Sequence, residues 1–319
     1  MGKFTSFAES DPTGMTETDT SIETIVDDDL RPLPQAVTVV IPAFNEAAHV
    51  AEQIRDVDRV MRESGWTYEI IVIDDGSKDG TAEASQSTGL ARVVRRAENR
   101  GYGASLKLGI KLAQHDWILI TDADGTYPVA SIPALLALHE TNSMVVGART
   151  GETVKVPLER RPAKWFLNRL ASYLAGRHLP DINSGLRLMR KSFVLRYEHL
   201  LPDGFSFTTT ITLSAAVNRH PLTYVPIDYF ARLGTSKIRP RHAFDFTLLI
   251  LRTMVFFNPL KVFLPLGALL ATAGLAKFGY DLTRDNLSES AVLGVLGALI
   301  VWAVGLLADQ NARVATMRR

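Results

Sequence analysis

Short apolar runs alternate with helical patterns through the first half of the chain. Continuous runs rich in β-branched residues occupy residues 37–41, 69–73, 91–94, 117–121 and 144–147. Apolar residues at helical spacing fill residues 46–64 and 103–114 between them. Strands that alternate with helices predict an α/β domain built on a mostly parallel, buried sheet.

Two uncharged apolar runs follow near the C-terminus, at residues 262–276 and 291–307. A membrane-spanning helix needs about 20 apolar residues, with about 17 as the lower limit, and both runs come near this with their flanks. A pair of buried core helices is the alternative interpretation. Both runs are apolar on all faces, and Tyr280 and Trp302 would suit the membrane interface, so we predict a transmembrane hairpin. The small residues of the second run, which would allow a homo-oligomer, are Gly294, Gly297, Ala298 and Gly305.

The charges that flank these runs predict an orientation. The connector at residues 279–290 holds three acidic residues against Arg284 alone, whereas basic residues precede the first run and follow the second. By the positive-inside rule the large N-terminal part lies on the cytoplasmic side, the inner membrane in a prokaryote. The expected protein is an integral membrane protein with a cytoplasmic catalytic domain.

Composition narrows the chemistry. The 319 residues include 35 basic and 34 acidic side chains, a net charge of +1, which argues against a nucleic-acid partner. The absence of cysteine excludes thiolate metal sites and cysteine nucleophiles. Residues 1–34 are polar and acidic, without the basic start and apolar run of a signal peptide, and are predicted to be a disordered tail.

Polar clusters follow four of the predicted elements, at residues 42–46, 74–77, 98–103 and 122–125. Ligands of parallel α/β sheets bind beyond the carboxyl ends of the strands. All four clusters carry at least one carboxylate, and carboxylates repel bare phosphate unless a divalent cation bridges them to a diphosphate. Asp122 and Asp124 favour Mg²⁺ or Mn²⁺ over Zn²⁺. Each motif alone has a simpler explanation: a solvated turn, a helix cap at Asp74 or Asp75, or a helix start at Gly103.

The segments VVIPAFNE, VIDDGSKDGT, NRGYGASLKLG, DADGTYP and DINSGLR, in this order, resemble glycosyltransferase family 2. With RLGTSK at residues 232–237, the chain is similar to the polyprenyl-phosphate branch, which includes the dolichol-phosphate mannosyltransferases. The resemblance implies a GT-A catalytic domain, with a Rossmann-like, mostly parallel sheet, at residues 35–240. A juxtamembrane helix and two transmembrane helices would follow at residues 241–319.

The resemblance also implies residue roles. Donor binding falls to Pro42, Phe44, Glu46, Asp74, Asp75, Asn99, Gly103, Asp122, Ala123 and Lys237. Metal binding falls to Asp122 and Asp124, and the catalytic set is Asp124, Asp181 and Arg232. The acceptor phosphate would meet Arg149, Arg161, Ser184, Arg187 and Arg232. Thr126 stands where many relatives have a glutamine that helps to bind the metal, so the third protein ligand departs from the pattern.

The implied function is the inverting transfer of one sugar from a UDP-sugar or GDP-mannose to a polyprenyl monophosphate. The product would be a lipid-linked sugar donor for cell-envelope glycan or glycoprotein synthesis. One alternative is a processive polysaccharide synthase, although its Gln-x-x-Arg-Trp motif is absent and two spans do not readily enclose a channel. Another is a membrane-anchored sugar-nucleotide sensor without catalytic activity.

Residues 160–176 form an amphipathic pattern beside these motifs. Trp165, Phe166 and Tyr173 share a stripe with Arg161 and basic neighbours. This composition fits a helix that lies on the membrane surface, where it would bring a lipid phosphate to the catalytic domain. An ordinary helix packed on the sheet fits the pattern equally well.

Overall fold

A computed structural model of the chain describes residues 35–151, 161–230, 241–284 and 288–317. The acidic segment 1–34 lies outside these residues. The segment 231–240, which contains the predicted donor and acceptor contacts Arg232 and Lys237, also lies outside them.

Seven strands of the described chain form one sheet in the order β3-β2-β1-β4-β6-β5-β7. The strands are β1 Ala36–Ala43, β2 Thr67–Asp74, β3 Arg92–Arg95, β4 Trp117–Ile120, β5 Met144–Arg149, β6 Arg187–Arg190 and β7 Leu222–Ile227. All pairings are parallel except those of β6, which runs antiparallel to β4 and to β5.

Helices connect the strands and continue beyond them. They are α1 Val50–Glu63, α2 Thr81–Gln86, α3 Tyr102–Leu112, α4 Ile132–Leu136, α5 Arg161–Ala175, α6 Lys191–Arg196, α7 Phe207–Val217, α8 Arg241–Phe257, α9 Leu260–Leu282 and α10 Glu289–Met317. Short 3₁₀ turns stand at Val129–Ser131 and Glu198–Leu200.

The reversed strand β6 decides which residues reach the ligand edge of the sheet. Ile120 at the end of β4 pairs with Arg187 at the start of β6. The residues that precede β6 therefore lie at the same edge as the residues that follow β1, β2, β4, β5 and β7. This reversal brings the segment 181–186 to the place where ligands of such sheets bind.

Both faces of the sheet are buried, which explains why the central strands read as continuous apolar runs. Val39 and Val72 face α1 and α4, whereas Val40 and Ile73 face a second core that includes α3, α5 and α7. This alternation follows from the two-residue period of a strand. The predicted class of sheet is confirmed, whereas β6, only four residues long with an arginine at each end, was not predicted.

Helix α8 attaches the C-terminal helices to the sheet domain. Ile250 and Met254 of α8 are fully buried in the same core as α7. At the start of α9, the Lys261 ammonium donates a hydrogen bond to the carbonyl of Leu174 in α5, at 2.9 Å. A cation at a helix C-terminus satisfies a carbonyl that has no partner within the helix.

Helices α9 and α10 pack closely together and are long and apolar enough to cross a membrane. A Cβ atom on Gly274 would lie 2.8 Å from the backbone nitrogen of Val295, and one on Gly305 would lie 2.6 Å from the Cβ of Phe263. Most of the apolar side chains on both helices remain exposed, which is costly in water but not in lipid.

This packing bears on two expectations from the sequence. Gly294 lies against the backbone of Gly274, and Ala298 is almost fully buried within the chain. Gly294, Gly305 and Ala298 therefore pack within the hairpin, and a homo-oligomer stays a prediction. The indole N–H of half-buried Trp302 donates to the carbonyl of Leu264 at 3.2 Å, and its role as an interface anchor also stays a prediction.

We predict that Gly274→Leu destabilises the hairpin by about 1–3 kcal/mol, because any side chain there must push α10 away from α9. Gly279→Leu is the matched control, since a Cβ atom at Gly279 meets nothing within 4 Å. Thermal unfolding in detergent, followed by circular dichroism, should give a lower melting temperature for the first variant only. Equal melting temperatures for the two variants would contradict the packing.

Candidate active site

Asp122 and Asp124 lie just beyond the end of β4, on a tight turn. The Tyr102 hydroxyl donates to Asp122 Oδ1 at 2.9 Å, and the Thr126 backbone N–H and hydroxyl donate to Asp124 Oδ1 at 3.1 and 2.7 Å. Gly125, between Asp124 and Thr126, has φ +69°, a conformation that glycine adopts without strain. Both acids are thus oriented by neighbouring residues of the chain.

These two carboxylates fit a hard divalent cation that is shared with a substrate. No cluster of three or more His, Cys, Asp or Glu side chains suited to a metal occurs among the described residues. Mg²⁺ in such sites is held by one or two carboxylates, with substrate phosphates and water completing its shell. Thr126 occupies the position of the third ligand expected by resemblance, but it directs its hydroxyl to Asp124.

Tyr102 also belongs to the candidate site, through its hydrogen bond to Asp122, although the resemblance implied no role for it. Its hydroxyl is buried, and burial together with the Asp122 charge raises the pKa of the phenol well above its usual range. The hydroxyl therefore stays protonated and keeps donating to Asp122. The position of Tyr102 in a Gly-Tyr-Gly turn at the predicted ligand edge was the signal that could have identified it.

Arg149, the last residue of β5, forms a bidentate ion pair with Asp181. Arg149 Nε donates to Asp181 Oδ2 at 2.8 Å, and Nη2 donates to Oδ1 at 2.9 Å. The backbone N–H groups of Arg149 and Asn183 add hydrogen bonds to the same carboxylate. Among the described residues Nη1 has no hydrogen-bond partner, and the guanidinium lies 5.3 Å from the ring centre of Tyr229.

Both partners of this pair are charged at neutral pH. Burial raises the pKa of the Asp181 carboxyl, but the charge and hydrogen bonds of Arg149 outweigh it and lower the pKa to about 2. Burial also lowers the pKa of Arg149, whereas Asp181 raises it above its ordinary value. A carboxylate so acidic is a poor proton acceptor, so Asp181 is suited to orienting Arg149 rather than to acting as a base. The catalytic role that the resemblance implies for Asp181 stays a prediction, and in this structure its carboxylate pairs with Arg149.

Arg187 and Ser184 do not lie where a substrate phosphate could reach them. Both are fully buried, and the guanidinium of Arg187 donates only to groups of the chain among the described residues. Their burial gives no support in this conformation to the acceptor-phosphate roles that the resemblance implies for them. Arg161 begins α5, but its side chain lies outside the described residues.

Asp74 and Asp75 play different roles at the end of β2. Asp75 accepts hydrogen bonds from the backbone of Arg100 and Gly101 and from the Arg96 side chain, so it shapes the loop that contains exposed Asn99. Asp74 Oδ1 accepts from the backbone of Ser77, whereas its buried Oδ2 has no hydrogen-bond partner in the described chain.

A cleft of ≈ 420 Å³ opens between the residues that follow β2 and those at the end of β3. The Arg95 Nε lies 3.6 Å from Asp74 Oδ2 at its wall. The other lining residues are Gly76, Ser77, Lys78, Arg96 and Ala97. The basic side chains were not predicted as site residues, although basic residues after a strand at the ligand edge are a usable signal. A buried acceptor beside a cationic wall suits an N–H-bearing ring attached to phosphates.

The loop after β1 is fastened to the loop after β2. The backbone N–H of Asn45 donates to the Ser77 hydroxyl at 2.9 Å, and that of Glu46 donates to the Thr81 hydroxyl at 2.9 Å. Phe44 is exposed on this loop. The side chains of Pro42 and Ala123 are buried, which leaves only their backbone for contact with a donor.

Gly103 has an intramolecular reason to lack a side chain. A Cβ atom there would lie 2.2 Å from the carbonyl oxygen of Pro202, and the N–H of Ala104 donates to the carbonyl of Asp203 at 3.0 Å. The segment 202–204 thus covers the start of α3, where a phosphate was expected to approach. The donor-binding role that the resemblance implies for Gly103 has no support from this packing.

The chain leaves β7 directly beside the carboxylate turn. The backbone N–H of Phe230 donates to the carbonyl of Thr126 at 3.0 Å, and Tyr229 packs edge-on against Tyr127 at 5.2 Å. Phe230 is the last described residue before the segment that contains Arg232 and Lys237. The predicted phosphate-binding loop therefore begins next to the two acids.

Helix α5 fits both interpretations of its sequence pattern, a helix packed on the sheet and a helix on the membrane surface. Ala171 and Leu174 are buried against the sheet domain, whereas Trp165, Phe166 and Tyr173 are at least half exposed. One side of the helix packs on the protein. The other side presents aromatic residues of the kind found at membrane interfaces.

Comparisons with known proteins agree with this arrangement. Residues 38–197 match the family described as Glycosyl transferase family 2, and residues 258–314 match the family described as GtrB C-terminal hairpin. Glycosyltransferase AglJ of Haloferax volcanii is 30% identical over 285 residues, covering 86% of this chain and 92% of that protein. The dolichyl-phosphate hexose transferase of the same organism is 29% identical over 206 residues, covering 64% of this chain and 87% of that protein.

A solved structure shares the fold. Glucosyl-3-phosphoglycerate synthase from Mycobacterium tuberculosis, in complex with Mn²⁺, UDP and phosphoglyceric acid, superposes with a TM-score of 0.55 at 19% identity. The match covers 69% of this chain and 78% of that chain. It confirms the expected fold class, a GT-A sheet domain to which two long apolar helices are added.

The pKa of Asp181 predicts how acid affects stability. Because the folded-state pKa of about 2 lies below the ordinary 3.8, the carboxylate stabilises the fold above about pH 4 and loses this contribution as the pH falls to about 2. The free energy of unfolding, from urea titrations, should differ between the wild type and Asp181→Asn by a pH-dependent part of about 2 kcal/mol. Asp116→Asn, at an exposed position, is the control. If the difference in the free energy of unfolding between the wild type and Asp181→Asn stays constant from pH 6 to pH 2, that result would contradict the pairing.

Proposed function

The chain belongs to glycosyltransferase family 2, and on that premise we propose that it transfers one sugar from a nucleotide-diphosphate sugar to a polyprenyl monophosphate, with inversion at the anomeric carbon. The observation that carries the proposal is the placement of the Asp122/Asp124 pair and the Arg149–Asp181 pair at one edge of one sheet. The first pair suits a cation-bound diphosphate, and the second suits a phosphate monoester.

The donor would lie across the ends of β1, β2 and β4. Asp74 Oδ2 offers a buried acceptor for a ring N–H of the base, a group that uracil and guanine both have. A UDP-sugar and GDP-mannose are therefore both compatible with this wall of the cleft. Mg²⁺ or Mn²⁺ held by Asp122 and Asp124 would neutralise negative charge on the leaving diphosphate.

The acceptor supplies its own nucleophile. A phosphate monoester has a second pKa near about 6, so it is mostly dianionic at neutral pH and needs no strong base to remove a proton. What it needs is an oriented cation. Arg149 is held by Asp181 through Nε and Nη2, while Nη1 has no hydrogen-bond partner among the described residues, and this geometry supports a contact between Nη1 and the phosphate.

A single displacement accounts for inversion. A phosphate oxygen of the lipid forms the new bond to the anomeric carbon as the bond to the nucleotide diphosphate breaks on the opposite side. The electron pair of the broken bond leaves with the diphosphate. In this proposal Arg232 and Lys237, on the loop that begins beside Thr126, add positive charge between the two anions.

The membrane supplies the acceptor. The dolichyl-phosphate hexose transferase among the relatives supports a polyprenyl phosphate, and the match to the GtrB C-terminal hairpin supports membrane anchoring by α9 and α10. The acidic connector and the basic flanks favour a catalytic domain on the cytoplasmic face. The exposed aromatic side of α5 would rest on that face. The product would be a lipid-linked sugar for cell-envelope glycan or glycoprotein synthesis.

The direct test is a transfer assay with purified protein in detergent. The donors are radiolabelled UDP-glucose, UDP-N-acetyl sugars, UDP-glucuronate and GDP-mannose, each supplied with polyprenyl phosphate and Mg²⁺ or Mn²⁺. We expect a labelled lipid that carries one sugar from one of these donors. A labelled polymer would instead indicate a processive synthase, and nucleotide binding without transfer would indicate a sensor.

We further predict that Asp124→Ala lowers the transfer rate at least about 100-fold, because the diphosphate loses a ligand of its cation. Asp116→Ala is the matched control, since Asp116 is exposed at the opposite end of β4. Initial rates at saturating donor and lipid measure the effect. Unchanged turnover in Asp124→Ala would remove the metal from the proposal.

A further inference from the structure

Arg187 is a buried cation that the proposed reaction does not use. It is the largest fully buried side chain of the described residues, and no carboxylate among them forms an ion pair with it. Burial lowers the pKa of its guanidinium. Removing a charge from water without an opposite charge is costly, so its hydrogen bonds must compensate.

Those hydrogen bonds join two elements that are distant in sequence. Nε donates to the carbonyl of Ser184 at 2.6 Å, and Nη2 donates to the carbonyl of Ile182 at 3.0 Å. Nη1 donates to the Thr212 hydroxyl at 2.6 Å and to the carbonyl of Thr208 at 3.0 Å. Arg187 therefore fixes the segment 181–185 to helix α7.

Each end of this segment touches one half of the candidate active site. At one end Asp181 forms the ion pair with Arg149. At the other end a Cβ atom on Gly185 would lie 3.0 Å from both carboxylate oxygens of Asp122, and the Gly185 N–H donates to the Tyr127 hydroxyl at 2.6 Å. The backbone of this segment is thus a short bridge between the two groups that would face the two anions.

We propose that Arg187 is a positioning residue, which holds the bridge 181–185 against α7 and so sets Arg149 and Asp122 at the separation that sugar transfer requires. This proposal rests on the proposed function, because the separation matters only if both anions bind. Arginine suits the task because its planar fork reaches four acceptors at fixed angles, whereas lysine presents a point charge. Supporting groups of this kind hold reactive side chains within a narrow range of geometry.

The test compares Arg187→Lys with Arg177→Lys. Arg177 also donates to two backbone carbonyls, those of Leu222 at 2.9 Å and His220 at 3.5 Å, but these lie away from the carboxylates. We expect Arg187→Lys to lower kcat roughly 10- to 100-fold and to raise the KM for polyprenyl phosphate, because small misplacements of reacting groups have effects of this size. Arg177→Lys should keep both values within about twofold of the wild type.

Hydrogen exchange gives a readout that does not depend on turnover. The amide of Gly185 and that of Asn183, which donates to Asp181 at 3.0 Å, should exchange faster in Arg187→Lys than in the wild type and Arg177→Lys. Melting temperatures identify general destabilisation. Thr212→Val removes one of the four acceptors of Arg187 and also the hydrogen bond that this hydroxyl donates to the carbonyl of Thr208. It should shift exchange and kcat in the same direction by a smaller amount, and it carries the test if Arg187→Lys does not fold.

Several results would overturn the proposal. One is unchanged hydrogen exchange in Arg187→Lys, and another is faster exchange with an unchanged kcat. A third is a loss of activity in both Arg187→Lys and Arg177→Lys that simply follows how far each variant lowers the melting temperature. An unaltered Thr212→Val beside an unfolded Arg187→Lys would assign Arg187 to stability alone. A wild-type protein that transfers no sugar would overturn the proposed function instead, while the exchange data would still decide whether Arg187 holds the bridge.

Discussion

The bidentate ion pair between Arg149 and Asp181 ties the end of β5 to the segment that precedes β6. Because the pKa of Asp181 is about 2, the pair remains charged throughout the physiological range, and the guanidinium keeps one orientation. A free arginine would lose side-chain entropy on binding a phosphate, whereas this one has been ordered by folding. The carboxylates of Asp122 and Asp124 lie at the same edge of the sheet, and the bridge 181–185 connects Asp122 with this fixed cation.

The chemical problem in the proposed reaction is to bring two anions together. A cation on the leaving diphosphate and a fixed arginine on the incoming phosphate divide that task between two neighbouring places on one sheet edge. The reversed strand β6 makes this possible, since an ordinary parallel strand would have carried the residues before it to the opposite edge. The hairpin of α9 and α10 follows α8, which packs in the same hydrophobic core as α7. The hairpin and the bridge 181–185 are therefore both connected to that core.

Much of the fold and the outline of the site followed from the sequence. Buried parallel strands read as apolar runs, and the rule for their carboxyl ends located Asp122 and Asp124 at the ligand edge. Arg149 was named only through the resemblance, and the structure places it at the same edge at the end of β5. Strand β6 was not predicted because an arginine stands at each of its ends. The burial of a charged residue such as Arg187 cannot be predicted from the local sequence pattern. The sequence also cannot distinguish a glycine required by the chain's own backbone, as the packing at Gly103 indicates, from a glycine required by a ligand. Arg232 and Lys237 keep the roles that the resemblance implies as predictions.

The most direct test of the Arg149–Asp181 ion pair is a double-mutant cycle on these two residues. The KM for polyprenyl phosphate and the KM for the donor are measured for each variant. Arg149→Ala and Asp181→Ala should each raise the KM for the lipid phosphate far more than the KM for the donor. The double variant should be little worse than either single variant, which corresponds to a coupling energy of about 1–3 kcal/mol. Additive effects, or effects confined to the donor, would contradict the claim that Asp181 acts by holding Arg149 on the acceptor phosphate.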